Sequence, residues 1–136
     1  MQLKNLASGL SLALSDDLLW SDEHAWSPAL STVSYLVTGA LLIQSGVRQS
    51  GRAITLVGPI DMAWTTRAVI DTLYDWAAEP VAAASGRFEL SLTGGRVFTV
   101  AFRHAEVPIE AEPVTGLAAR ADSDFYRLTV RLMEIG

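Results

Sequence analysis

The sequence contains no cysteine, which excludes disulfide bonds, thiolate metal sites and thiol nucleophiles. It has a single lysine, Lys4, and a formal net charge of −5. Proteins that bind nucleic acid through its phosphates need clustered lysine and arginine, so that class is not favoured. The densest apolar run, Tyr35 to Ile43, is too short to cross a bilayer. The modest run from Leu6 to Leu14 lacks the cleavage site of a secretory signal. We therefore expect a soluble protein.

Apolar residues, in contrast, are abundant. They make up 50% of the 136 residues, which is enough for one domain, 1–136, around one hydrophobic core. High hydrophobicity with modest charge also argues against disorder. The apolar content exceeds what a domain of this size needs to bury, which favours self-association.

Hydrophobic periodicity predicts a mainly β, α+β fold. We expect an antiparallel β-sandwich or barrel of about six strands with one flanking α-helix, preceded by an irregular segment, 1–31. The predicted strands are Thr32–Gln44, Ala53–Gly58, a hairpin over Arg87–Arg103 that turns at Gly94–Gly95, Val107–Val114 and Phe125–Ile135.

The strand predicted over Thr32–Gln44 is apolar on both faces in its second half, and Gly39 suggests a bulge within it. A strand of this kind is covered on both sides, and a neighbouring subunit is one possible cover. The polar segment Gln44–Arg52 then predicts the projecting tip of a hairpin that leads into Ala53–Gly58.

One helix is predicted, within Pro59–Pro80, with Asp61 or Thr65 as its cap. Arg67 and Asp71 are spaced to form an ion pair on its wet side. The apolar residues of the opposite side form a continuous stripe: Val69, Ile70, Leu73, Trp76 and Ala77.

No set of residues predicts catalysis, a cofactor site or a metal site. His24 and His104 are the only histidines, and the pair His104–Glu106 reads better as a solvated strand end than as metal ligands. Four acids cluster near the N-terminus: Asp16, Asp17, Asp22 and Glu23. They lack the spacing of a calcium loop and favour a solvated acidic rim over acid–base chemistry.

Three segments together resemble a family of short bacteriophage tail proteins. They are LLWSDEHAWSPALSTVSYLVTGALLIQSGVRQSGRAITL (Leu18–Leu56), GRFELSLTGGRVFTVAFRH (Gly86–His104) and DFYRLTVRLMEI (Asp124–Ile135). The order of elements is also similar, and the likeness covers most of the chain. These are structural residues, without a catalytic motif.

The resemblance implies a distal tail protein or tube-to-baseplate adaptor with a tail-tube-like fold. Such proteins form homohexameric rings that continue or cap the tail tube, contact other tube and baseplate proteins, and let DNA pass without specific binding. The implied location is the virion, assembled in the host cytoplasm. We expect Val47, Arg48 and Gln49 to contact the next ring, where Arg48 would pair with a carboxylate.

Two other readings stay open. A small β-barrel with a helix can hold an apolar ligand at its mouth, as a monomeric or dimeric binding module. An enzyme would use the acids of Asp16–Glu23 with His24, and it predicts strongly perturbed carboxyl pKa values in a cleft.

Overall fold

A computed structural model describes residues 1–82, 85–115 and 121–136. These residues form a mainly β fold in which every strand pairing is antiparallel. The elements in chain order are β1 Gln2–Asn5, β2 Ser11–Ala13, β3 Leu19–Trp20, β4 Ala29–Tyr35, β5 Leu41–Val47, β6 Ala53–Val57, β7 Thr65–Thr66, α1 Arg67–Ala77, β8 Phe88–Ser91, β9 Val97–Phe102, β10 Ile109–Pro113 and β11 Phe125–Glu134. The predicted mainly β, α+β class with antiparallel strands and one helix is confirmed, although the described residues form eleven strands and not about six. Helix α1 has 11 residues, and no helix of the described residues is long and apolar enough to span a membrane.

Strand β11 organises the main sheet, whose order is β2-β1-β8-β9-β11-β6-β3. It also pairs with β10 and β7. The prediction of a closing strand is confirmed, because Tyr126, Leu128, Val130 and Leu132 alternate into the core. Alternation of this kind fixes the register, since a slip of one residue would turn the apolar side chains to water.

The N-terminal segment is more regular than predicted. Strand β1 lies between β2 and β8, and β3 pairs with β6. Leu3 and Trp20 are buried in the core. The prediction of an irregular 1–31 is therefore wrong for these strands. They are too short, at two to four residues, to show the period-two pattern in the sequence.

The helix is shorter than the predicted range Pro59–Pro80. Thr65 and Thr66 pair with β11 instead, and neither Asp61 nor Thr65 caps the helix. Thr66 stands at the N-cap without a side-chain hydrogen bond. The N–H groups of Arg67 and Ala68 donate to the carbonyls of Asp124 and Asp122. The turn before β11 thus satisfies the donors that a capping side chain usually satisfies.

The predicted helix stripe is confirmed. Ile70, Leu73, Trp76 and Ala77 are buried, and Val69 packs against the core. Trp76 stacks on Phe88 with ring centroids 5.5 Å apart, and Phe88 meets Phe102 edge-on. Arg67 and Asp71 approach to 3.8 Å on the exposed side.

The hairpin predicted over Arg87–Arg103 is confirmed as β8 and β9. Gly94 and Gly95 both have positive φ, at 96° and 88°. The Leu92 N–H donates to the Arg96 carbonyl across the turn. Two consecutive positive φ angles are costly for residues with a Cβ, so this turn needs its glycines. Two further predicted strands are also confirmed. The strand predicted over Ala53–Gly58 is β6, and the one predicted over Val107–Val114 is β10.

The prediction of one strand over Thr32–Gln44 is wrong. The chain reverses within it, so that β4 and β5 form their own hairpin with Tyr35 opposite Leu41. Gly39, with φ of 85°, belongs to this turn and not to a bulge. Strand β5 does not pair with β6, whose partners are β11 and β3. The period-two pattern continues on both sides of the turn, which hides the reversal.

We expect the substitution Leu90→Ala to lower the free energy of unfolding by about 2–5 kcal/mol, because it leaves a cavity at a fully buried position. The matched control is Leu10→Ala, at an exposed position, with an expected change within about 0.5 kcal/mol. Urea denaturation monitored by circular dichroism measures both. Equal losses would contradict the burial of Leu90 in the core.

Candidate functional site: an exposed hairpin arm

The hairpin of β4 and β5 leaves the body of the protein as an arm, Ala29–Val47. Every residue of both strands is exposed. Its strands pair with each other and with no other strand of the described chain. A two-stranded hairpin is marginally stable by itself in water, because it has no interior in which to bury apolar side chains. An arm of this composition therefore needs a surface to lie on.

The register of the arm divides its side chains between two faces, since residues paired across strands point to the same side. We call one side the apolar face. It carries Val33 opposite Ile43, Tyr35 opposite Leu41, and Val47. These five side chains are between 52% and 76% exposed.

The other side, which we call the mixed face, is more polar. Thr32 lies opposite Gln44 and Ser34 opposite Leu42. Leu30 and Leu42 are also exposed on this side. The contrast makes the apolar face the better candidate for a contact that excludes water.

The arm carries no charge. The 21 residues from Ser27 to Val47 include no Asp, Glu, Lys, Arg or His, although 18% of the chain is Asp, Glu, Lys or Arg. Exposed surfaces of monomeric proteins rarely combine apolar side chains with so complete a lack of charge. Depletion of charge is instead typical of the core of a protein–protein interface.

The tip of the arm is apolar too. The Leu36 N–H donates to the Ala40 carbonyl, and the Gly39 N–H donates to the Leu36 carbonyl. Val37 lies at the turn with its side chain fully in solvent. A turn is usually polar, so the exposed valine extends the apolar surface of the arm to its tip.

The predicted contact residues Val47, Arg48 and Gln49 lie at the base of the arm and not at a projecting tip. Val47 belongs to the apolar face. The Arg48 N–H donates to the Pro28 carbonyl at 2.7 Å and closes the hairpin, while its guanidinium lies 6.0 Å from the Trp26 ring centroid. Gln49 follows in the exposed loop that leads to β6. The loop is thus placed differently from the prediction, and the projecting element is the arm.

Arg52 fixes the base of the arm to the body. Its guanidinium lies 4.6 Å from the Trp20 ring centroid and 6.0 Å from that of Trp26, and it donates to the Glu23 carbonyl at 2.8 Å. Cation–π contacts with aromatic faces are favourable and directional. The Arg52 backbone also bonds with Glu134 of β11. The arm therefore leaves the body from a fixed point.

The four N-terminal acids do not form one site. Asp16 accepts from the N-terminal ammonium and from Thr93. Asp22 accepts from the backbone and side chain of Thr55. Glu23 pairs with Arg96 at 2.7 Å. Each of these three carboxylates holds together two parts of the body, while Asp17 is exposed.

Two carboxyl groups of this cluster, those of Asp16 and Glu23, have a lowered pKa. The hydrogen bond and charge of the N-terminal ammonium lower the pKa of Asp16, with help from Thr93. The hydrogen bond from Arg96 lowers the pKa of Glu23. A general acid in a cleft would need the opposite shift. These shifts instead fit ion pairs that stabilise the folded state.

The two histidines have different surroundings. His24 is exposed beside Glu23, at 3.9 Å. His104 Nε2 lies 2.6 Å from the carbonyl of Ala77, the last residue of α1. His104 therefore contacts a carbonyl at the C-terminus of the helix. The sequence did not predict this contact. Within the described residues no group of three or more possible metal ligands comes together.

A sequence signal for the arm existed. Thr38-Gly39 stands midway between two apolar runs of similar length, and a Gly-containing pair between such runs is a hairpin signal. The lack of charge over Ser27–Val47 is the second signal. The first signal alone predicts a bulge, because the apolar pattern continues through it.

Comparison with known proteins adds no relative: no protein family, no curated protein and no solved structure matches this chain significantly.

The Glu23–Arg96 pair predicts a pH dependence of stability. Because folding lowers the pKa of Glu23 from its ordinary 4.5, the pair stabilises above that pH and its contribution disappears as pH falls through the folded value. Glu23→Gln should thus lower the urea midpoint at neutral pH and have little effect in strong acid. Asp17→Asn, at an exposed neighbour, is the control and should leave the midpoint unchanged. A Glu23→Gln effect that persists undiminished in acid would contradict the ion pair.

Proposed function

We propose that this chain is a structural subunit of a phage tail or baseplate, forming a ring that continues or caps the tail tube and lets DNA pass. The observation that carries the proposal is the arm Ala29–Val47, uncharged and exposed along its whole length. A protein that works alone gains nothing from such an arm and risks aggregation through it. A protein that assembles uses it to bind its neighbour.

The arm supports assembly with copies of the chain about a symmetry axis. When an element that projects from one protomer contacts a different surface on the next, and the contact is not returned about a two-fold axis, the interface is heterologous. Heterologous contacts close into a ring when the rotation between protomers allows it. A hexamer is the number that the resemblance to tail proteins implies.

Net charge supports the passage of DNA. At −5 the subunit repels phosphates, so a ring of several copies would surround DNA without holding it. The only lysine, Lys4, lies in β1 and exposes its side chain. A conduit of this kind needs no base recognition, in keeping with the absence of a basic cluster from the sequence.

The viral location rests on the resemblance of Leu18–Leu56, Gly86–His104 and Asp124–Ile135 to short tail proteins. We infer that the chain joins the virion after assembly in the host cytoplasm and contacts other tube and baseplate proteins. Mass spectrometry of purified particles should find this chain in a fixed ratio to the tube protein. Its absence from particles that contain the tube protein would contradict the viral location but not the assembly.

The ligand-binding alternative receives no specific support. The interior of the body is filled by large side chains such as Leu3, Phe88 and Leu128, all fully buried. An open cleft of about 300 Å³ lies along β10 and β11. Glu112 and Arg127, which line it, pair with each other at 2.9 Å. Apolar ligands prefer an enclosed apolar pocket, which this cleft is not.

Charging the apolar face of the arm tests the assembly. The double variant Val33→Glu, Ile43→Lys replaces one cross-strand pair with an ion pair, so the hairpin keeps its pairing while its apolar face becomes charged. We expect ring formation to weaken at least tenfold, about 1.4 kcal/mol, because charges buried in an apolar contact lose their hydration. Light scattering and negative-stain imaging measure the assembly.

The matched control is Thr32→Glu, Gln44→Lys, which makes the same two changes at the adjacent pair on the mixed face. It should assemble nearly as well as the wild-type protein. A wild-type chain that stays monomeric at high concentration, with both variants indistinguishable from it, would contradict the role of the arm.

A further inference from the structure

A second exposed apolar surface lies away from the arm. We call it the distal patch; its members are Ile60, Met62, Trp64 and Phe125. They are between 42% and 76% exposed. The Trp64 and Phe125 rings lie 6.1 Å apart, centroid to centroid, and so join the loop after β6 to the start of β11. Exposed large apolar side chains on one loop and the adjoining strand end are typical of a contact surface.

The backbone under the distal patch is held firmly. The Gly58 N–H donates to the Leu128 carbonyl at 2.7 Å, and a Cβ at Gly58 would lie only 3.0 Å from that oxygen. The Trp64 indole donates to the Ile60 carbonyl at 3.0 Å. The loop therefore presents its apolar side chains from a defined position.

One residue of this loop has an unfavourable conformation. Ala63 has a φ of 60°, a left-handed value that alanine seldom adopts, and its side chain is buried. With Ala63 turned inward, the neighbours Met62 and Trp64 stay exposed. Strain of this kind persists where the surrounding structure holds it and often marks a functional surface.

The base of the arm and the distal patch lie at opposite ends of strand β11. Near the base of the arm, the Gly51 N–H donates to the Glu134 carbonyl at the end of β11. At the patch, Phe125 begins β11, opposite Thr66. Ten residues of β11 separate these ends, roughly 30 Å at the rise of an extended strand.

We propose that the apolar face of the arm of one protomer covers the distal patch of the next copy. This rests on the proposed ring function and names the surface that receives the arm. In the proposed ring each protomer binds one neighbour through its arm and another through its patch, which is the heterologous arrangement that a ring requires.

A second copy fits the patch on chemical grounds. The apolar face of the arm offers Val33, Tyr35, Leu41, Ile43 and Val47 without charge, and the patch offers aliphatic, thioether and aromatic side chains. The charges beside the two surfaces are also complementary: Asp61 lies between Ile60 and Met62 in the sequence, while Arg48 directly follows the arm at its base. Contact between two arms would leave both patches in water.

The absence of native cysteine allows a direct test by disulfide trapping. An Ile43→Cys chain is mixed with a tagged Met62→Cys chain under a mild oxidant, and non-reducing gels separate heterodimers from homodimers. A disulfide needs Cα atoms within about 7 Å, so only a close pair forms it quickly. We expect the 43–62 heterodimer to form several-fold faster than either control pair.

Each side of the contact has a matched control. Gln44→Cys places the thiol on the mixed face of the same strand, and Leu10→Cys places it at an exposed apolar position outside the patch. Circular dichroism checks that each variant keeps the fold. The control pairs are Gln44→Cys with Met62→Cys and Ile43→Cys with Leu10→Cys.

The outcomes separate the two proposals. If the wild-type protein forms rings but the 43–62 pair reacts no faster than the controls, the distal patch is not the receiver and the ring proposal stands. If Ile43→Cys homodimers dominate, the arms contact each other and the inference is overturned. If the wild-type protein forms no assembly and no pair is preferred, the ring proposal fails as well.

Discussion

A two-stranded ribbon has no interior in which to bury its apolar side chains, and the surface properties of this protein follow from that constraint. Strands β4 and β5 satisfy each other's backbone along one edge, but their side chains have only solvent on either side. Charged side chains would make such a ribbon soluble, yet Ser27–Val47 has none. The arm thus leaves the hydrophobic effect unsatisfied within one chain, and a partner is the simplest way to satisfy it.

The body of the protein keeps the arm and the distal patch apart. Strand β11 pairs along its length with β10, β9, β7 and β6, so its two ends are fixed relative to each other. The arm departs near Glu134, where Arg52 packs against Trp20 and Trp26. In the assembly that we propose, this separation keeps the arm of a protomer away from the patch of the same protomer.

Elements with a long hydrophobic pattern in the sequence were predicted correctly, and elements with a short pattern were not. Strand β11, the β8–β9 hairpin and the stripe on α1 each extend over several periods, and all three were predicted. Strands β1 and β3 were not, because their pairing depends on β8 and β6, far away in sequence. At the candidate site, the surplus of apolar surface near Tyr35–Ile43 was predicted. The reversal at Gly39, and hence the position of Arg48 at the base, was not.

The sequence by itself determined the class of fold, the buried face of the helix and the lack of charge from Ser27 to Val47, since composition and local periodicity carry this information. Only the tertiary structure decided that the uncharged segment leaves the body and that Trp64 comes beside Phe125. The physical reason is that a period-two pattern reports which side chains alternate but not what lies beside them. Whether an apolar face meets its own core or open water depends on contacts between residues distant in the chain.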